Sequence, residues 1–213
     1  MIVVIGSPLG RSHDGGLDAG GQASRVALAA ARAGRTVQLV GKTGDDATAD
    51  EVLLALTRGG VGHVALLRDP ARRTPLERPF ADEEEAIEPA IPESAAPDGP
   101  ALDAADVDLG LRYLTDFAVV VLAESAGPET VAIVAEAARW GGARLVIVVR
   151  AGEPAPDGLP PDAIVFEAPE ADPDGVFARL VGTFAAALDD GSDPGDAFRA
   201  SVASDGWTGS PDD

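Results

Sequence analysis

The chain has no cysteine, one methionine and two histidines, His13 and His63, in 213 residues. Disulfides, thiolate nucleophiles and thiolate metal sites are thereby excluded, and imidazole chemistry has two candidates. Lysine is nearly missing too: of 16 Lys and Arg residues only Lys42 is a lysine, against 36 Asp and Glu, and the formal net charge is −20. A surface of that sign repels nucleic acid and anionic membranes, so neither is expected as a partner. No apolar run approaches the roughly 20 residues that span a bilayer. The opening "MIVVIGSPLG" lacks the basic flank and cleavage site of a signal peptide, and a cytoplasmic location is expected. Aromatics make up only 4%, yet 46% of residues are hydrophobic, enough for one globular domain with a real core, expected over 1–204.

What is present is a repeated alternation. Short runs rich in Val and Ile, bounded by turn residues, predict buried parallel strands at 2–5, 36–40, 63–67, 117–122, 145–149 and 163–166. Helical periodicity predicts helices at 21–33, 46–58, 128–140, 175–189 and 195–203, with Gly34, Gly59-Gly60 and Pro128 as punctuation. The order predicts a three-layer α/β/α fold with a mostly parallel sheet. Residues from about 69 to 108 carry seven prolines and an acidic block without a sustained period, and are expected to be an irregular insert, as a loose flap or disorder. The tail at 205–213, with Trp207 its one large apolar residue, is expected to fray.

Isolated motifs carry little. Ser12-His13-Asp14 contains triad residue types, but sequence neighbours cannot supply triad geometry. "GSPLG" is short of a dinucleotide fingerprint. Asp82-Glu83-Glu84-Glu85 reads as a solvated loop with a weak divalent-ion site as alternative. Val131, Ile133, Val134, Ala138 and Trp140 read as core or interface positions.

The stretch "AGGQASRVALAAARAGRTVQLVGKTGDDATADEVLLALTRGGV" is more specific. Its Gly20-Gly21 pair, the Ala-rich helix from Ala27 to Gly34, the block Gly41 to Asp46 and Gly60-Val61 resemble the ribokinase-like, phosphofructokinase-B-type carbohydrate kinases. The likeness continues more weakly to the end of the chain. It implies a ribokinase-like fold, here short of the usual lid and of part of the nucleotide-side elements. The ten residues "SHDGGLDAGG" are too few for the family's lid hairpin, and about a third of a typical relative is expected to be missing.

The resemblance also implies phosphoryl transfer from a nucleotide to a sugar hydroxyl, which needs a general base and an anion hole. In the family both come from a Gly-Ala-Gly-Asp turn, which aligns with Gly175-Val176-Phe177-Ala178. The base position is then Ala178, which cannot take a proton, and Phe177 stands where a glycine lets phosphate approach the backbone. Asp172 and Asp174 precede the helix, and whichever caps it places negative charge where phosphate would sit. Arg11 and Arg25 align with the family's sugar-binding Asp and Asn; arginine accepts no hydrogen bond, so these positions suit an anion or an internal ion pair. Glu167-Ala168-Pro169-Glu170 keeps only the second acid of an Asn-x-x-Glu motif linked to magnesium and phosphate, and Asp172 matches a family Asp. Asp45 and Asp46 are placed to cap the helix near Ala47, with a metal or phosphate role as the sharper alternative.

The ligand-binding candidates are therefore Arg11, Gly20, Gly21, Arg25 and Asp46, and the metal- or phosphate-linked ones Glu170 and Asp172. The expected function is that of a degenerate carbohydrate-kinase relative without phosphotransferase activity, serving as a small-ligand-binding or protein-interaction module. The alternatives are an active kinase with a rearranged site based on Glu170, Asp172 or Asp174, and a structural subunit that docks a protein partner or a second copy. ATP and Mg²⁺ are expected only under the kinase alternative; no other cofactor is implied.

Overall fold

The computed structural model describes residues 1–77 and 99–205. The acids Asp82 to Glu85 and Trp207 lie outside the described residues, as do 206–213 of the tail. In chain order the elements are β1 (Ile2–Ile5), β2 (Leu9–His13), β3 (Gly16–Gly20), α1 (Gly21–Arg32), β4 (Val37–Gly44), α2 (Ala47–Arg58), β5 (Val61–Asp69), α3 (Ala104–Arg112), β6 (Val119–Leu122), α4 (Pro128–Gly141), β7 (Arg144–Val149), β8 (Ile164–Glu167), α5 (Val176–Asp189) and α6 (Pro194–Asp205).

Six strands form one sheet in the order β5-β4-β1-β6-β7-β8, and every pairing is parallel. The chain starts at the centre with β1, winds outward through β4 and β5, then returns to lay β6 on the free side of β1 and winds out the other way. Such a sheet must be apolar on both faces. In β1, Ile2 and Val4 join the core under α1, α2 and α5, while Val3 and Ile5 join the core under α3 and α4. The apolar stripe of α5, Phe177, Val181, Phe184 and Leu188, is buried in the first core. Phe166 of β8 meets Phe184 edge-on at 5.1 Å and Phe177 at 6.4 Å. Helix α5 also crosses α1 closely: a Cβ at Gly182 would stand 2.5 Å from the Val26 carbonyl oxygen and 2.6 Å from Ala29 Cβ. On the other face Val131, Val134 and Ala138 are core residues, whereas Trp140 is 82% exposed.

Two expectations are corrected. Residues 9–20 do form a hairpin: β2 and β3 pair antiparallel from Leu9 opposite Gly20 to His13 opposite Gly16. The turn between them is Asp14-Gly15, a residue pair suited to a two-residue hairpin loop, and His13 Nδ1 accepts the Gly15 N–H at 3.0 Å. His13 thus closes a turn and completes no triad. The proline-rich insert is also shorter than expected, because β5 runs on to Asp69 and α3 starts at Ala104. Asp103 and Asp106 cap that helix reciprocally, each carboxylate accepting the other's backbone N–H. Gly110 lets α3 lie close on β4, since a Cβ there would be 2.6 Å from Val40 Cγ1.

Candidate functional site

In a sheet wound this way, ligands bind at the carboxyl edge, where the winding direction reverses between two adjacent strands. Here those strands are β1 and β6, and the residues that follow them are Gly6-Ser7 and Ala123-Glu124. Gly6 has φ +153°, and a Cβ on it would stand 2.8 Å from Ala23 Cβ and 3.3 Å from Glu124 Cδ. The missing side chain is what lets the end of β1, the first turn of α1 and the Glu124 carboxyl converge. The Ser7 N–H donates to Glu124 Oε1 at 3.2 Å, and Gln22 Nε2 donates to the Ala123 carbonyl at 2.8 Å. Burial pushes the Glu124 carboxyl up to about 6, against the opposing pull of the Ser7 N–H and of Arg150. Glu124, Gln22 and Arg150 line a crevice of about 120 Å³ beside β7.

The start of α5 is built differently. Gly175 adopts φ +65° at the N-cap and offers no side chain. Three residues earlier, Asp172 supplies one: its carboxylate accepts the N–H of Phe177 at 3.2 Å and of Ala178 at 3.0 Å. Two of the N–H groups that would greet a phosphate at this helix start, those of Phe177 and Ala178, are already held. Of the two candidate caps it is thus Asp172, and not Asp174, that closes the helix. Ala178 is 0% exposed and lies wholly in the core, Phe177 is buried and Val176 half-buried. Arg25 donates to the Asp172 carbonyl at 2.9 Å and pairs with Glu77 at 2.7 Å. Glu77 Oε2 packs where a Cβ on Gly20 would come within 2.8 Å of it.

The remaining candidates separate. Gly20 and Gly21 form the joint where the hairpin runs into α1, with Gly21 at φ +77° and a Cβ there only 3.0 Å from Leu9 Cγ. Arg11 pairs with Asp18 across the exposed hairpin at 3.3 Å. Asp46 caps α2, accepting the Ala49 N–H at 2.9 Å, and also takes the Thr74 N–H at 2.8 Å. Burial pushes the Asp46 carboxyl up, but the N–H groups of Ala49 and Thr74 outweigh it and hold it below the usual carboxylate value. The two glycines of the Gly41-to-Asp46 block have steric reasons of their own. A Cβ at Gly41 would be 2.4 Å from the Gly6 carbonyl oxygen, and one at Gly44 would be 2.6 Å from the Arg72 oxygen and the Thr74 nitrogen. Lys42 pairs with Asp106 at 2.8 Å, and Arg68 with Asp45 and Asp50 at 2.9 and 2.6 Å. Glu170 is exposed. The starts of α1 and α5 therefore bring Gly20, Arg25, Asp172 and Gly175 together, with the Arg11 backbone against Gly20 and its guanidinium turned to Asp18, while Asp46 and Glu170 stand apart. Glu124 was not among the sequence candidates; its one signal is an acid placed directly after the apolar run ending β6.

The start of α5 as built does not fit a nucleotide phosphate. The phosphate would meet the Asp172 carboxylate instead of free N–H groups. Among the described residues no group of three or more His, Asp or Glu is placed to hold a metal ion.

A family model for pfkB family carbohydrate kinases matches residues 3–165, ending ahead of Glu170, Asp172 and α5. Solved structures share the fold at low identity. A putative ribokinase II from E. coli aligns at 14% identity and TM-score 0.65, over 96% of this chain and 91% of its own. Phosphofructokinase-2 from E. coli, in complex with fructose-6-phosphate, aligns at 15% and TM-score 0.61, over 96% and 91%. Ribokinase from Arabidopsis thaliana, complexed with ribose and ATP, aligns at 13% and TM-score 0.58, over 98% and 93%. These three are covered almost throughout, whereas fructokinase from Xylella fastidiosa, at 16% identity and TM-score 0.52, is covered over 66% of its length, short by the third that the sequence predicts. No curated protein matches the chain. Among the described residues no helix is long and apolar enough to cross a membrane. With the match spanning 3–165 of 213 residues, the chain belongs to the pfkB family of carbohydrate kinases.

Proposed function

We propose that this chain has kept the family's fold and the crevice between β1 and β6 but no longer transfers phosphoryl groups, and that it acts by binding a small molecule. The observation that supports this reading most is the start of α5. A carboxylate of the chain itself occupies two of the helix N–H groups, and the residue aligned with the base is a fully buried alanine. A missing general base typically lowers a rate by about 10² to 10⁴, and a lost oxyanion donor by a further 10² to 10³. The two together would lower the rate by about 10⁴ to 10⁷. Incubation with ATP and Mg²⁺ and a panel of ribose, fructose, fructose 6-phosphate and nucleosides is expected to give no more ADP than a protein-free blank. Turnover of any panel member refutes the proposal.

One observation favours the kinase alternative. Glu124 is a carboxyl raised toward neutrality at the edge where ligands enter, a property suited to a general base. If that reading holds, the panel shows turnover and Glu124→Gln abolishes it.

A further inference from the structure

On the α4 side of the sheet, the carboxyl ends of β6 and β7, the start of α4 and residues 153–157 enclose a cavity of about 390 Å³, within the range that accommodates small organic ligands. Its walls are apolar, with Leu122, Val131, Ile147, Val149 and Pro154 among them. Every charged residue that lines it is acidic: Glu124, Glu153 and Asp157. Arg150, the nearest cation to act on Glu124 and Glu153, lines the smaller crevice instead.

The roof is fastened from both sides. Ser125 Oγ donates to Glu153, and the Arg150 N–H reaches Ser125 Oγ at 3.2 Å and Glu153 Oε2 at 3.3 Å. The Gly152 N–H donates to Glu167 Oε1 at 2.7 Å. The loop that borders the cavity is therefore held in place by its own hydrogen bonds. At the cavity's polar end Glu124 spends one oxygen on the Ser7 N–H, and among the described residues its Oε2 has no hydrogen-bond donor. A partly buried carboxylate with an acceptor to spare gains most from a ligand that brings both a donor and a positive charge. An anion would face three acids. A polyol would leave the apolar walls unmatched. Pro128 opens α4 without an N–H, and so reduces what that helix start can offer an anion.

We infer that this cavity binds a small organic cation, a primary or secondary amine on a compact apolar body, with the ammonium at Glu124 Oε2 and the body against Val149, Pro154 and Pro156. The inference rests on the ligand-binding half of the proposed function and not on the loss of phosphoryl transfer.

Titration calorimetry at pH 7.5 with three probes of one shape tests it: phenethylamine, 2-phenylethanol and 3-phenylpropionate. Phenethylamine is expected to bind saturably, with a Kd at least about tenfold below those of the alcohol and the acid. Glu124→Gln should bring the amine to the affinity of the alcohol, and Ala126→Phe, which fills the cavity from the loop before α4, should abolish binding of both. No saturable amine binding, equal affinity for the three probes, or a preference that survives in Glu124→Gln overturns the inference. The wild-type selectivity decides by itself if a variant fails to fold. Turnover in the ATP panel would overturn the loss of transfer and leave this result standing, and an absence of amine binding would do the reverse.

Discussion

Asp172 and Glu124 both stand at the carboxyl edge of the sheet, and they differ in what their oxygens find there. Asp172 meets two helix N–H groups and seals the start of α5. Glu124 meets one N–H at 3.2 Å, and burial lifts its carboxyl to about 6 against the pull of that N–H and of Arg150. One carboxylate works for the fold. The other works against it at pH values where it is charged. Among the neighbouring charges Arg25, Lys42, Arg68 and Asp46 have partners within the chain, whereas Glu124 Oε2 shares with the buried Glu77 Oε2 the lack of a hydrogen-bond donor among the described residues.

The sharpest way to separate packing from function is to strike the body of α5 away from both carboxylates. Gly182→Val should cost about 3 kcal/mol in urea unfolding, because the new side chain lands on backbone and Ala29 that the α1–α5 crossing holds in place. A loss below about 1 kcal/mol would mean that the two helices can part and that the seal at Asp172 is not held rigidly.

How far these features could be read in advance follows from what each residue type encodes. The strands of the sheet were legible because runs such as IVVI and LVIVV must be buried on both faces, and the capping of α2 because Asp46 stands at its start. The hairpin was missed because "LGRSH" and "GLDAG" show no apolar alternation, although Asp14-Gly15 was there to be read. Helix α3 was missed because its nine residues hold a glycine and its capping box is made of two aspartates rather than the usual Ser or Thr with Glu. Glu124 could not be found from its letter. A glutamate after a strand is ordinary, and only the convergence of Gly6, Ala23 and β6 around it creates the buried site.

The next largest effect belongs to Glu124 and has the opposite sign to that of a usual core substitution. Its folded pKa of about 6 lies above the ordinary 4.5. Between those values the folded protein holds the proton more tightly than the unfolded chain, so this group's contribution to stability is fully present below about 4.5 and is lost as pH rises through 6. Glu124→Gln removes the burial of charge and should therefore stabilise the protein by about 2 kcal/mol at pH 7.5. The gain should shrink to nothing by pH 4. Chemical denaturation at the two pH values checks it, and an equal effect at both would show that packing and not charge was responsible.

Asp172→Ala should show the smallest of the three effects and the most telling one. Loss of a helix cap costs about 1 kcal/mol, and the change frees the N–H groups of Phe177 and Ala178. If the helix start remains an anion site that the chain has filled for itself, millimolar inorganic phosphate should restore part of that stability in the variant and leave the parent unchanged, since an anion at the helix N-terminus replaces the missing carboxylate. If phosphate has no effect on the melting temperature of Asp172→Ala, the Phe177 side chain and the close approach of Arg25 to Gly175 have closed the site as well. In that case the start of α5 is shut by shape as much as by charge, and restoring an acid at position 178 could not reopen it.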